Sequence, residues 1–192
     1  MFMRVIQVLC LSIIAVAAVA DDSLWNKLQH DANMVVLMRN AESDGNRGGS
    51  DMLVWDASGA CKGESTLTAE GKAQAESIGS AFVEHGISPT VISSPMCRCT
   101  ETAQIAFGGY ITDPGLRQRP ASDIPGQEAF QASARAMLRQ YRGITPVVFV
   151  NHRPNIDSLT MELLDLGELL IGRISDDGEI EVLGKIRIDP GE

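Results

Sequence analysis

Three short polar segments carry the side chains of this chain that are best suited to holding an anion. Arg39 and Asn40 follow the apolar run MVVLM, Arg98 lies in MCRCTE, and His152 ends PVVFVNH. Arginine offers a fixed fork of N–H donors that matches a phosphate, and its charge does not titrate away. Histidine can donate a hydrogen bond or change its protonation near neutral pH. Together these side chains would stabilise the charge on a transferring phosphoryl group.

The elements predicted around these segments would bring them together. Strands that alternate with helices imply a mainly parallel sheet covered on both faces, and ligands bind beyond the carboxyl ends of such strands. The sequence therefore predicts an α/β fold, a three-layer α/β/α sandwich with a mainly parallel sheet. Arg98 would lie in the first turn of its helix, where backbone N–H groups and the helix dipole also favour an anion. Apolar runs, helical spacing and turn residues predict strands at 34–38, 90–94 and 146–152, helices at 21–32, 68–86, 95–107, 126–142 and from about 155, and a hairpin at 168–188.

The charge of the chain limits its partners. It has 16 basic and 25 acidic residues, a net charge of −9. It has no basic stripe with interleaved aromatic residues, so we expect no nucleic-acid partner. The net negative charge of the protein repels an anion, so a phosphate pocket must concentrate its arginines locally.

Residues 1–20 have the pattern of a secretory signal peptide. Arg4 precedes an apolar core, and the small residues Ala18 and Ala20 have the spacing of a cleavage site before Asp21. A retained membrane anchor is the alternative, although the apolar run is short for a span. We expect a periplasmic or secreted protein that has no membrane association after cleavage. No repeat or low-complexity tract divides residues 21–192, which we predict to form a single domain.

Cleavage would leave three cysteines, Cys61, Cys97 and Cys99. In an oxidising compartment, a disulfide is the default expectation. An odd count permits one bridge, which we predict between Cys61 and one member of the Cys-Arg-Cys pair. Zinc binding is the alternative, but a spacing of one residue is shorter than zinc ligands usually have, and we predict no metal site.

Four segments in order give the chain a family resemblance. From VVLMRNAES through LTAEGKAQAESIG and VISSPMCRCTETAQIAFG to VFVNHRPNIDSLT, it resembles the histidine phosphatases, the superfamily that includes phosphoglycerate mutase. It is most similar to small exported bacterial members with a cysteine in the first loop and Cys-Arg-Cys in the second. The resemblance implies a phosphoglycerate mutase-like fold, phosphomonoester hydrolysis without metal or cofactor, and phosphate or a small phosphorylated molecule as the partner.

The resemblance also implies roles for individual residues. Arg39, Arg98 and His152 would line the phosphate pocket, and position 40 would be the histidine that attacks phosphorus. The residue there is Asn40. A carboxamide nitrogen has no free lone pair, so asparagine cannot form the phosphohistidine intermediate. We therefore predict a chain that binds phosphate esters and turns them over poorly or not at all. A natural change and an engineered substitution explain Asn40 equally well.

Further departures leave alternatives open. Many relatives take the general acid from a Leu-x-Glu segment, and the nearest match here ends in Gln118. Asn151 stands where relatives usually have a small residue. An active enzyme with another nucleophile, and an exported interaction protein that has lost the use of the pocket, are the rival functions. The possible substitutes for the general acid are Asp113, Asp123 and Glu64. Two cations of the first loop, Arg47 and Lys62, either contact the substrate or are simply solvated.

Overall fold

A computed structural model describes residues 21–49 and 51–188. The predicted signal segment, 1–20, lies outside the described residues. Within the described ranges, no helix has the length and apolar character needed to span a bilayer.

The core of the fold is one six-stranded sheet in the order β3-β2-β4-β1-β5-β6. Three of its pairings are parallel, those of β2 with β3, β2 with β4 and β1 with β4, while β5 pairs antiparallel with both β1 and β6. The sheet is therefore mixed: its parallel part runs from the β3 edge to β1, and its antiparallel part lies at the β6 edge. The strands are β1 (Met34–Arg39), β2 (Thr90–Ser93), β3 (Ile111–Thr112), β4 (Val147–Asn151), β5 (Leu169–Ile174) and β6 (Ile180–Ile186).

Helices cover both faces of the sheet. Alternate residues of β1 point to opposite sides, so Val36 packs on one apolar cluster and Leu37 on the other. The first cluster includes side chains of α1, α2 and α3, and the second includes side chains of α4 and α5. The predicted three-layer α/β/α sandwich is confirmed. The helices are α1 (21–30), α2 (Ala69–Glu84), α3 (Cys97–Phe107), α4 (Ile124–Tyr141) and α5 (Arg153–Thr160), with short 3₁₀ turns at Asp44–Arg47 and Pro114–Leu116.

Local signals in the sequence set several of these boundaries. The side chain of Thr68 accepts a hydrogen bond from the backbone N–H of Gly71, which caps the start of α2 as predicted. Gly178 turns the predicted C-terminal hairpin with a φ of 85°. At Gly79, a Cβ atom would lie 2.3 Å from the carbonyl oxygen of Ala106, so glycine is what allows α2 and α3 to pack this closely.

Two boundaries next to His152 differ from the prediction. Helix α5 begins at Arg153 rather than near 155, because Pro154 fits the first turn of a helix, where no N–H is needed. Strand β4 ends at Asn151, so His152 is the N-cap of α5 instead of the last strand residue. The sequence pattern also missed β3, which has only two residues, both exposed.

The predicted disulfide is present and joins Cys61 to Cys97. Cys99 is the remaining thiol, and it is buried. The bridge ties the long loop between β1 and α2 to the first residue of α3. The loop is therefore anchored next to Arg98.

Removing the disulfide should destabilise the fold by about 4 kcal/mol, because the bridge closes a loop of 36 residues and restricts the unfolded chain. We expect this loss for the double variant Cys61→Ser/Cys97→Ser in urea unfolding. The unmodified protein in a reducing buffer should show the same loss. Equal stability of the oxidised and reduced protein would contradict the prediction.

Candidate functional site

Three neighbouring strands bring the predicted site residues to one edge of the sheet. Strands β2, β4 and β1 are adjacent and parallel, so their carboxyl ends lie side by side. Arg39 is in register with Asn151, and the backbone N–H of Asn40 donates to the Asn151 carbonyl at 3.0 Å. The first turn of α3 brings Arg98 to the same edge, where one of its nitrogens contacts the ring of His152 at 2.9 Å.

Arg98 is the centre of the site and is fully buried. Its Nη2 atom lies within hydrogen-bond distance of the carbonyl oxygen of Met52 (3.0 Å), Oε1 of Gln118 (2.8 Å) and Nδ1 of His152 (2.9 Å). Its other two nitrogens, Nε and Nη1, are buried and have no hydrogen-bond partner among the described residues. A buried donor without a partner costs on the order of 1–3 kcal/mol, and more if it is charged. These two donors are the ones that an anion would satisfy.

His152 is held as a neutral ring. A guanidinium can only donate, so the Nδ1 atom that faces Arg98 accepts, and the proton lies on Nε2, 2.7 Å from Oγ of Ser94. Burial is the main reason why the pKa of His152 lies well below its usual 6.5, and the charges of Arg98 and Arg39 lower the pKa further. The histidine can therefore donate from Nε2 without carrying a charge.

This lowered pKa should make the stability of the fold depend on pH. The unfolded chain takes up a proton at His152 near pH 6.5, whereas the folded chain does not. The contribution of His152 to the free energy of unfolding is therefore fully present above pH 6.5 and is lost progressively below it. We expect about 1.4 kcal/mol of this loss at pH 5.5 relative to pH 7.5. Urea unfolding of His152→Gln should lack this component, while the exposed control His30→Gln should keep it. Identical pH profiles for His152→Gln and the unmodified protein would contradict the assignment.

Arg39 adds a second guanidinium to the site. It is half-buried, and its Nη1 atom donates to the carbonyl oxygen of Leu164 at 3.0 Å. Burial lowers the pKa of Arg39, and the charge of Arg153 acts in the same direction; the carboxylate of Asp165 opposes them, and Arg98 adds a smaller lowering effect. Three guanidinium groups, those of Arg39, Arg98 and Arg153, thus lie close enough to influence one another at this edge of an acidic protein.

Asn40 occupies the position next to these cations that the sequence analysis assigned to the nucleophile. Its side chain is almost fully buried, and its Nδ2 atom donates to the carbonyl oxygen of Ala41 at 2.9 Å. The neighbouring backbone is fixed as well, because the N–H of Ala41 donates to the hydroxyl of Thr102. The site therefore holds an amide where covalent chemistry needs a free lone pair.

The start of α3 differs from the expectation that its backbone N–H groups would be available to an anion. The N–H of Cys97 donates to Oε2 of Glu64 at 2.8 Å, so a carboxylate of the chain itself caps this helix. The other oxygen of Glu64 accepts from the N–H of Asp56 at 2.7 Å. Anion binding at this position would depend on the Arg98 side chain rather than on the helix start.

Gln118 occupies the position where the resemblance places the general acid, and it lies at the site because it contacts Arg98. Its amide can accept a hydrogen bond but has no proton to give at neutral pH. Two of the possible substitutes have structural roles elsewhere, since Asp113 accepts from the N–H of Gly115 and Asp123 caps α4. Glu64, the third, uses both of its oxygens on backbone N–H groups.

Neither loop cation has a hydrogen bond or ion pair to Arg39, Arg98 or His152 among the contacts of the described residues. Arg47 forms ion pairs with Glu42 and Glu70 at the surface. Lys62 is exposed. These placements favour solvated or structural roles for both side chains.

Three contacts of the site had no assigned role in the sequence analysis. They are the hydroxyl of Ser94 on His152, the carbonyl oxygen of Met52 on Arg98, and the thiol of Cys99, whose Sγ lies 3.6 and 3.7 Å from the ring nitrogens of His152. Burial raises the pKa of Cys99 to about 12, so the thiol stays protonated. The position of Ser94 at the end of a predicted strand was a usable signal, whereas a backbone carbonyl leaves no mark in a sequence.

Among the described residues, no group of three or more histidine, cysteine or acidic side chains is arranged to hold a metal ion. A cavity of about 410 Å³ is lined in part by Gln118, which contacts Arg98, and by Asn155. The amide of Asn155 donates to Oδ1 of Asn151 at 2.8 Å, so this wall is linked to the end of β4.

Comparison with known proteins shows to which family the sequence is related. The sequence profile of the histidine phosphatase superfamily (branch 1) matches residues 35–143, more than half of the chain. No curated protein matches the sequence significantly.

Several solved structures share the fold. A phosphoserine phosphatase from Entamoeba histolytica in complex with 3-phosphoglyceric acid has a TM-score of 0.60 at 15% identity, over 81% of this chain and 98% of that one. The phosphoglycerate mutase of Thermus thermophilus has a TM-score of 0.58 at 23% identity, over 81% and 99%. The protein histidine phosphatase SixA, complexed with tungstate, has a TM-score of 0.56 at 14% identity, over 82% and 97%. At such identities, these similarities show the fold alone.

Proposed function

The chain belongs to the histidine phosphatase superfamily, and we propose that it binds a phosphate ester through Arg39, Arg98 and His152 without efficient turnover. The observation that carries the proposal is Arg98, whose Nε and Nη1 donors are buried and have no partner among the described residues. Two fixed N–H groups on one guanidinium match two oxygens of a phosphate. The neutral His152 accepts from Nη2 of Arg98 and so helps to orient this guanidinium.

Asn40 is the reason for proposing binding rather than catalysis. The family reaction, phosphomonoester hydrolysis, proceeds through a phosphohistidine, and asparagine has no nitrogen lone pair with which to form it. Gln118 likewise has no proton for the leaving oxygen. Two steps of the reaction thus lack their usual chemical group, which supports a pseudophosphatase.

The ligands of related structures support phosphate as the recognised group. The phosphoserine phosphatase of similar fold holds 3-phosphoglyceric acid, and the similar SixA structure holds tungstate, an oxyanion. We carry this chemistry over to the present chain as a proposal. Its partner would be a small phosphorylated molecule or phosphate itself.

Calorimetric titration of the purified protein with inorganic phosphate, vanadate and tungstate tests the proposal. We expect saturable binding of tungstate at one site per chain, which competes with phosphate. A protein that binds none of the three anions would overturn the proposed function.

We also propose that the working protein is exported to the periplasm or secreted, with residues 21–192 as its single domain. The Cys61–Cys97 bridge supports this location, because disulfides persist in oxidising compartments. Mass spectrometry of the protein from its host should find Asp21 at the N-terminus.

A further inference from the structure

A segment with little apolar packing lies against the proposed anion site. It comprises residues 51–64, in the long loop between β1 and α2, all within the described ranges. Glu64 is its one buried residue, and Leu53 and Val54 are exposed. None of its side chains belongs to an apolar core cluster of the described residues. Segments with so few buried apolar contacts open locally at a low cost in free energy, so each contact that holds this one matters.

Two contacts join the 51–64 segment to the start of α3. The Cys61–Cys97 bridge attaches it covalently to the first residue of the helix. The carbonyl oxygen of Met52 accepts from Nη2 of Arg98 at 3.0 Å. Because Arg98 directly follows Cys97, the bridge keeps the segment next to the guanidinium that its backbone helps to orient. With Nη2 engaged in this way, Nε and Nη1 are the donors left for an anion.

The backbone at the bridge is strained. Cys61 has a φ of 58°, in the left-handed region that is unfavourable for a residue with a side chain. The nearby Gly59 and Gly63 also have positive φ, which glycine adopts readily. Such strain persists only where the surrounding structure imposes it. Opening the bridge would let Cys61 return to a relaxed backbone conformation, and this change would move the segment.

The two halves of the bridge differ in their access to solvent. Cys97 is only 3% exposed, whereas Cys61 is half-buried. A disulfide is opened by a thiolate that attacks one of its sulfurs, and the attack needs access to that sulfur. An external thiolate would therefore attack Sγ of Cys61, and the sulfur of Cys97 would be the leaving group.

We propose that the Cys61–Cys97 bridge is a redox latch, a disulfide whose reduction by a dithiol frees the 51–64 segment and weakens anion binding at Arg98. One thiolate of the dithiol bonds to Sγ of Cys61, the bridge breaks, and Cys97 leaves as a thiolate that takes up a proton. The second thiol of the reductant then displaces Cys61 from the mixed disulfide. Two electrons and two protons pass to the cysteines, and the dithiol becomes a disulfide. The inference rests on the proposed function, because it concerns the regulation of that site.

Reduction should lower the affinity for tungstate by roughly threefold to tenfold. In the oxidised protein, Met52, Gln118 and His152 hold Nη2 of Arg98 before an anion binds. Without the bridge, the Met52 carbonyl is no longer kept in place. The anion must then order the guanidinium itself, at a cost typical of immobilising one long side chain.

Calorimetric titration with tungstate measures this ratio. One sample is the oxidised protein, and the other is protein reduced with dithiothreitol and freed from it under nitrogen. A lower affinity of the reduced sample, restored by reoxidation, is the expected result. Equal affinities of the two samples would overturn the inference.

Two variants assign the effect to the bridge. Cys61→Ser/Cys97→Ser should bind tungstate as weakly as the reduced protein and should not respond to dithiothreitol. Cys99→Ala removes the other thiol of α3 and should keep the ratio between the oxidised and reduced affinities, whatever its own affinity is. A double variant that still responds to the reductant, or a Cys99→Ala protein that does not, would show that the bridge is not the responding group.

Limited proteolysis shows whether the segment opens by itself. Trypsin should cleave after Lys62, an exposed residue of the segment, faster in the reduced protein than in the oxidised one. Cleavage after Lys72, which is exposed on α2, should stay slow in both. A comparable acceleration at both sites would mean that the bridge supports the whole fold and not the segment alone, and the inference would be overturned.

The same titrations separate this inference from the proposed function. Tungstate binding of equal strength in the oxidised and reduced proteins would overturn the redox latch alone. Absence of tungstate binding to the oxidised protein would overturn the proposed function, and the inference with it.

Discussion

The Asn40→His variant is expected to hydrolyse an aryl phosphate faster than the unmodified protein by roughly three to six orders of magnitude. The reason is that loss of a covalent nucleophile removes the central step of the reaction, while the groups around position 40 are still in place. Phosphate release from p-nitrophenyl phosphate, with both proteins at equal concentration, measures the effect.

The local geometry favours a reactive histidine at this position. The Nδ2 atom of Asn40 donates to the carbonyl oxygen of Ala41 at 2.9 Å. A histidine that donates to the same carbonyl from one ring nitrogen would leave the lone pair of the other free for attack on phosphorus. Arg98 would then stabilise the charge of the transferring group.

Two controls define what the result means. Asn40→Ala opens similar space but adds no nucleophile, so it should gain no activity. If Asn40→His is inert, the double variant Asn40→His/Gln118→Glu tests whether the general acid is the missing group, since a positioned acid contributes roughly a hundredfold to ten-thousandfold. Inactivity of the double variant would contradict an intact pocket and favour the interaction-protein alternative.

Arg98→Gln is expected to weaken tungstate binding by roughly a hundredfold to ten-thousandfold. Nε and Nη1 can each donate one hydrogen bond to a charged oxygen, and such bonds contribute about 1.5–3 kcal/mol apiece. Arg98→Lys should recover only part of the affinity, because an ammonium keeps the charge but has no planar fork. Calorimetric titration with tungstate measures both variants.

A change of fold must be separated from a change of binding, because Arg98 is fully buried and contacts Met52, Gln118 and His152. Far-ultraviolet circular dichroism and the unfolding midpoint of each variant provide that check. Arg39→Gln, at a half-buried position, should also weaken binding and should disturb the fold less. A folded Arg98→Gln protein with unchanged tungstate affinity would contradict the proposed site.

The sequence by itself determined the architecture, because the local signals agree with one another. The continuous apolar run of β1 is buried along its length, as expected for a central strand with helices on both faces. Thr68 sets the start of α2, and Gly178 sets the turn of the C-terminal hairpin. Both signals were readable because each acts within a few residues of the chain. The order of the strands along the chain then predicted that Arg39 and His152 would meet at one edge of the sheet.

Only the tertiary structure decided which groups form the disulfide and the hydrogen bonds around the site. The sequence left Cys97 and Cys99 equivalent as partners of Cys61, but two residues on a helix point about 200° apart. Cys97 therefore faces the long loop and forms the disulfide, while Cys99 faces the ring of His152. Likewise, no pattern indicated that Glu64 would cap α3, because it comes from a loop 33 residues earlier.

The candidate site divides in the same way. Residue types at the strand ends were enough to predict a pocket for an anion, since arginine keeps its charge and its fork of donors wherever it lies. The neutral state of His152, the unpartnered nitrogens of Arg98 and the cavity beside Gln118 were not predictable from the sequence. Each depends on burial and on contacts between segments far apart in the chain, and these exist only once the sheet and its helices have packed.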